Sequence, residues 1–422
     1  MKQISKELQL FLNKYFKKTK NEIDKLRFSS TTIKFIKNIY SLIIKSNIQW
    51  ISKMDSINKT TILEIPYKQV GFPKANNYAG IPNEIKSNIE NNEQHTNIYE
   101  FNVKHRKIRV FFIGSQINKK EIFKYLERMY IWLSISNKYS PINCSKNLHV
   151  YLYLTDLKKM LPTDNATIIG MNHANTAFTY ACSQENISSP MLLQNNEMNE
   201  IIIFRKEEWF KVFIHETIHC MSLDFSHMDT KLSNDKIHNT FNINNDVKLF
   251  ESYTECLAEI MNNIFFVYYS VINNKNAENM DYIYEKIEEN LKYEILFSFF
   301  QCVKILDHHG LSYKNMYDVE SRELCKKYNE NSPIFSYYVL KPILLFHIND
   351  FIEWINKNNK GSISFTKTNE NINNYCMFFE NFHKKQEYID AIKNMEKDYA
   401  KIKNNMDLRT ELETLRMTVF EI

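Results

Sequence analysis

The 422-residue chain carries 54 Lys and Arg against 49 Asp and Glu, a net charge of +5, with 44% hydrophobic and 24% charged residues. That balance is globular, and the mild positive charge lies in short runs such as Lys17-Lys18 and Lys119-Lys120, so no concentrated nucleic-acid-binding face is expected. Only 6 Gly and 8 Pro occur, too few for the turns of a compact β-architecture, which points to a helix-rich fold.

Met1 to Lys20 reads as a basic amphipathic helix containing Glu7, not as a secretory signal or transit peptide. The most apolar stretch, Ile334 to Ile348, is short and contains Lys341-Pro342, so no membrane span is expected. Cys144, Cys182, Cys220, Cys256, Cys302, Cys325 and Cys376 show no CxxC spacing. An odd, dispersed set predicts free thiols in a reducing, intracellular setting.

In chain order, residues 1 to about 60 place Leu8, Phe11, Tyr15 and then Ile33, Ile36, Tyr40 and Ile43 at helical spacing. Residues 66 to about 100 gather Pro66, Gly71, Pro73, Gly80 and Pro82 before a polar tract from Asn88 to Asn97, a loop that marks a soft boundary near residue 100. Lys107–Ile113, Leu148–Leu154, Asn175–Ala181 and Ile201–Phe204 are strand candidates, with a helix at Glu121–Ser134. A helix over Glu207–Met221 follows directly. Beyond it come helices over Val247–Ile272, over Tyr282–His309 with Gly310 as a left-handed cap, and over Tyr337–Lys357, Asn381–Lys403 and Asp407–Phe420. Gly361 and the run Asn369–Asn374 read as loop. The pattern predicts an α+β, predominantly helical chain with a small mixed sheet. Residues 1–100 form a helical region with a linker, 101–272 the central domain, and 273–422 a helical part completing a cleft.

The helix over Glu207–Met221 carries His215-Glu216-Thr217-Ile218-His219. At i and i+4, both imidazoles leave one face a turn apart, the separation two ligands of a tetrahedral Zn²⁺ require. Glu216 lies beside them, within reach of a zinc-bound water. Five residues alone arise by chance in roughly a few per cent of chains this long, and the bland reading is a surface helix with an accidental pair. The apolar stripe of Phe210, Phe213, Ile214 and Ile218 argues for burial, and buried histidines need a partner such as a metal.

Downstream, FESYTECLAEI places Glu251, Glu255 and Glu259 at i, i+4 and i+8. Stacked like charges repel, so the row marks either an acidic solvent face or a site with a compensating cation. Glu251 could ligate while Glu255 accepts a hydrogen bond from a ligand histidine. HExxH followed by such a helix resembles the gluzincin division of the zincin metallopeptidases. The resemblance implies a zincin-like core whose small sheet packs on the HExxH helix. It also implies one zinc ion held by His215, His219 and Glu251, with Glu216 as general base and Glu255 in support. A one-turn shift, with Glu255 as ligand and Glu259 in support, fits the same pattern.

The segment containing Asn175, Thr176, Ala177 and Phe178 resembles the edge strand with which that family pairs an extended polypeptide substrate; a core strand is the alternative. The stretch EEWFKVFIHETIH is similar to predicted metallopeptidases of large DNA viruses, which would allow a virion location. The likeness spans roughly residues 165 to 265. It departs from the metzincins, because Cys220 to Phe225 supply no third histidine. Asp224 and His227 remain candidate ligands, Cys182 and Cys220 candidate neighbours of the metal, and Asp307-His308-His309 a candidate source of a cation for an oxyanion. The expected activity is zinc-dependent peptide hydrolysis. The alternatives are a zinc-stabilised interaction protein without turnover and a zinc enzyme acting on DNA-bound proteins.

Overall fold

The computed structural model describes residues 3–59, 61–66, 81–90, 95–114, 118–164, 167–182, 198–272 and 278–422. Gly71, Pro73 and Gly80 of the expected linker, and the polar positions 91–94, lie outside the described residues. The fold is α+β and mostly helical, with one small mixed sheet, as the composition implied.

Helices α1 (Gln3–Tyr15), α2 (Lys17–Ile23) and α3 (Ser30–Lys59) open the chain. Six strands form the main sheet in the order β1-β2-β3-β4-β7-β6. Strands β1 (Thr61–Pro66), β2 (His95–Val103) and β3 (Arg106–Ile113) form an antiparallel meander, and β3, β4 (Asn147–Thr155) and β7 (Met198–Arg205) run parallel. The helix α5 (Lys119–Ser136) makes the β3–β4 crossover, and α4 (Asn83–Glu90) precedes β2. A separate two-residue strand, β5 (Ile169–Gly170), pairs with Glu330–Asn331. The edge strand β6 (Ala177–Thr179) is antiparallel to β7.

Period-two alternation sorts the sheet residues between two cores. Ile108, Val110, Leu148, Val150, Leu152, Ile201 and Ile203 face the main helical core. Phe111, Ile113, Tyr151, Tyr153, Ile202 and Phe204 face the other way, toward Ile81, Ile85 and Ile89 at α4. The boundary expected near residue 100 falls inside β2, which is tied to β3 by a full antiparallel register. One apolar cluster takes residues from Leu8 to Phe420, so the three expected regions share a core.

Against the sheet lies α6 (Trp209–Cys220), all twelve of its residues buried. It starts two residues later than the pattern suggested, because Glu208 adopts a left-handed backbone (φ 57°) and turns its carboxylate inward. After α7 (Lys231–Thr240) come α8 (Leu249–Val271) and α9 (Met280–His308), near the expected bounds, with Gly310 left-handed (φ +63°) after α9.

The last third corrects four expectations. The helix expected over Tyr337–Lys357 is broken into a π-turn at Ser336–Leu340, α10 (Lys341–Phe346) and α11 (Ile348–Asn358), the break falling at His347. The run Asn369–Asn374 is not a loop but the start of α12 (Asn369–Phe382); the Thr368 side chain accepts from Asn371 N–H, a cap outweighing the weak helix propensity of asparagine. Helix α13 (Gln386–Ile402) therefore begins later than expected. The helix expected over Asp407–Phe420 ends at Glu413, and the chain continues buried, without helix or strand.

Cys144 and Cys182 are not free thiols but a disulfide, their Cα atoms 5.8 Å apart; Cys220, Cys256, Cys302, Cys325 and Cys376 are free and buried. The fold brings together the approach to β4 and the exit of β6, a proximity that a separation of 38 residues conceals. Among the described residues, no helix is long and apolar enough to cross a membrane.

Candidate metal centre

Helix α6 is apolar nearly all round because it is enclosed by the sheet and α8. Its polar side chains fall on one stripe: Lys211, His215 and His219 at four-residue spacing, with Glu216 beside them. That stripe faces a cleft of about 130 Å³ shared with Glu251 and Glu255 of α8, Tyr337 and Met417. Asn175, Thr176, Ala177 and Phe178 line it from the sheet side, and β6 is an edge of the sheet and not a core strand.

His215 Nε2 lies 3.0 Å from His219 Nε2 and 3.1 Å from Glu251 Oε2; His219 Nε2 is 3.3 Å from the same oxygen. A tetrahedral zinc with bonds of about 2.0–2.1 Å separates its ligand atoms by roughly 3.3–3.4 Å. The triangle is within a few tenths of an ångström of the dimensions one such ion requires, two of its sides being shorter. The remaining imidazole atoms are also engaged. His215 Nδ1 is 2.9 Å from Glu255 Oε2, and His219 Nδ1 is 2.5 Å from Asp224 Oδ2. An ionised carboxylate only accepts, so each Nδ1 carries a proton; the same carboxylates raise the pKa of both rings against burial, favouring a second proton at Nε2, and a metal ion would take the place of that proton with each Nε2 lone pair turned toward the common point. Positive charge at that point, from imidazolium protons or from a metal ion, reconciles the three converging atoms. Among the described residues, His215, His219 and Glu251 form a buried group able to bind a metal ion.

Burial works against a charge on Glu251, yet the two histidines hold its carboxyl well below the usual carboxylate range. Glu255 is also held low against burial, by Lys211 (Nζ to Oε1 2.5 Å) and by His215. Burial pushes Glu216 upward despite the neighbouring histidines. The Tyr337 hydroxyl donates to Glu251 Oε2 at 3.1 Å and, buried among carboxylates, keeps its proton.

Glu259 is ion-paired with Lys341, two turns of α8 from Glu251 and away from both histidines. Asp224 supports His219 through Nδ1. Cys182 is in the disulfide, and burial pushes the Cys220 thiol up to about 12, leaving it inert. Asp307 pairs with Lys403, and His309 bonds the carbonyls of Ile305 and Asn329, so neither reaches the cleft. His227 and His308 do not line it either. Tyr337 and Lys211 escaped the sequence reading: Tyr337 lies 86 residues from the glutamate it touches, and Lys211 reads as an ordinary charged position. The spacing of Lys211 one turn before His215 was the one available signal.

Fold and site together define a mostly helical α+β protein with a buried His-His-Glu group fit for a metal ion. The chain is similar to an uncharacterized protein of Acanthamoeba polyphaga mimivirus, 28% identical over 162 residues, a match covering 38% of this chain and 40% of that protein. No family model and no solved structure matches.

Proposed function

We propose that the protein is a zinc-dependent metallopeptidase with a zincin-like core of the gluzincin kind. The observation that carries this reading is the convergence of His215 Nε2, His219 Nε2 and Glu251 Oε2, both imidazoles being held by carboxylates at Nδ1. Two nitrogens and one oxygen, with three protein ligands, suit a catalytic zinc. Bound there, zinc supplies Lewis-acid polarisation of a carbonyl and acidifies water.

The chain's own residues supply the rest. The Glu216 carboxylate, on the cleft wall next to the ligand pair, accepts a proton from water and passes it to the leaving amine. The Tyr337 hydroxyl, which donates to Glu251 Oε2 in the free site, would turn its single O–H from that carboxylate to the oxygen on which charge develops. Among the described residues strand β6 is paired with β7 on one side only, so its other edge would offer backbone groups to an extended polypeptide.

The test is zinc content together with turnover on a library of denatured proteins. Glu216→Gln keeps zinc and loses roughly 10²–10⁴-fold in rate. A wild-type protein that binds zinc stoichiometrically but shows no turnover would leave the metal as a structural element only.

A further inference from the structure

Past Glu413 the chain runs through the interior without helix or strand, with Leu415, Thr418, Val419 and Phe420 fully buried. Irregular backbone inside a helical core leaves peptide groups that each need a partner. Side chains from surrounding helices provide them. Glu208 Oε1 accepts from the N–H groups of Met417 and Thr418 at 2.9 and 2.6 Å, and Glu294 from those of Val419 and Phe420 at 2.8 and 3.1 Å. Tyr338, Gln301 and Asn262 donate to the carbonyls of Leu415, Arg416 and Phe420 at 2.6, 2.7 and 2.9 Å. The segment is held as a peptide ligand would be, in one register.

That register delivers one side chain to the cleft. Met417 lines it, with Sδ 3.7 Å from Lys211 Nζ, while the Met417 carbonyl accepts from Lys341 at 3.1 Å. Lys211 is only 2% exposed, and its ammonium bonds Glu255 Oε1, whose other oxygen holds His215 Nδ1. A lysine stem has four rotatable bonds, and the packed thioether removes the space into which it would swing.

Building on the metal-site reading, we infer that Thr414–Phe420 is an internal strap that sets the metal centre, with Met417 and Lys211 as positioning residues. Met417 holds Lys211 against Glu255, and Lys211 fixes the carboxylate that orients His215.

Co²⁺ binding to the full chain, followed by its visible d–d absorption, tests this. Lys211→Met and Met417→Ala weaken Co²⁺ affinity about 10–100-fold, as loss of an outer partner of a ligand does, and shift the absorption band. Lys211→Arg and Met417→Leu restore most of the affinity. Val419→Ala, in the same strap but turned to the apolar core, lowers thermal stability and leaves affinity and spectrum alone. Wild-type affinity in Met417→Ala, or an equal loss in Val419→Ala, overturns the inference; should Lys211→Met fail to fold, the Met417 pair decides. A wild-type chain that binds no Co²⁺ fails earlier, at the metal-site reading itself.

Discussion

Two sets of buried carboxylates lie at the start of α6 and along α8 and α9, and their partners differ. Around the strap, Glu208 and Glu294 face peptide N–H groups, and Glu259 faces the Lys341 ammonium. At the cleft, Glu251 faces two imidazole nitrogens and a tyrosine hydroxyl. Both sets are inaccessible, so burial alone does not mark a site. Glu208 and Glu294 are matched by donors that belong to the fold, and Glu259 is matched through Oε2. The second set brings two imidazole nitrogens and a carboxylate oxygen together around one point, an arrangement a metal ion would satisfy.

The largest break in this contrast comes from the ligands. His215→Ala or His219→Ala removes the metal, and with it a stabilisation of about 4 kcal/mol when metal is present at a thousand times Kd. Calorimetry with and without a chelator reads this: the wild type melts lower with chelator, and either variant melts the same in both. A chelator that leaves the wild-type Tm unmoved would place the cleft set with the strap set.

Next is Glu294→Ala. It strips acceptors from two N–H groups and the Thr418 hydroxyl, all buried, and costs about 2–4 kcal/mol in urea unfolding. Added metal does not repair that loss, whereas it does stabilise the wild type.

The smallest effect concerns a histidine of the other kind. His347 packs between Phe382 and Tyr388, and burial, helped by Lys385, pushes its pKa down to about 4. Between that value and the ordinary ~6.5 the unfolded chain binds the proton and the folded chain does not. The neutral ring therefore contributes up to roughly 2–3 kcal/mol above pH ~6.5, and this is lost as pH falls toward 4. Subtracting the stability–pH curve of His347→Gln from that of the wild type exposes the drop; a flat difference would show that His347 is not protected.

Legibility from sequence followed the range of the interactions. Helix α6, its histidine pair and the Glu251/Glu255 row were readable because helical periodicity is local: residues four apart share a face whatever surrounds them. The β3, β4 and β7 strands were readable from β-branched and aromatic runs. The strap was misread as helix for the same local reason, since Asp407 to Phe420 has helical composition and no proline. What holds it out of a helix is Glu208 and Glu294, over a hundred residues away. The Cys144–Cys182 pair and the Asn369 helix start were missed because one depends on chain crossing and the other on a single capping threonine.

The sequence by itself determined that two imidazoles and a carboxylate row would stand on two helices, each a turn apart. Only the tertiary structure decided that Glu251, not Glu255, meets both Nε2 atoms, that Glu255 and Asp224 take the Nδ1 protons, and that Tyr337, Lys211 and Met417 close the set. Helical spacing sets which side chains share a face. Which faces meet, and at what height, is set by the packing of α6 between the sheet and α8, to which residues from both ends of the chain contribute.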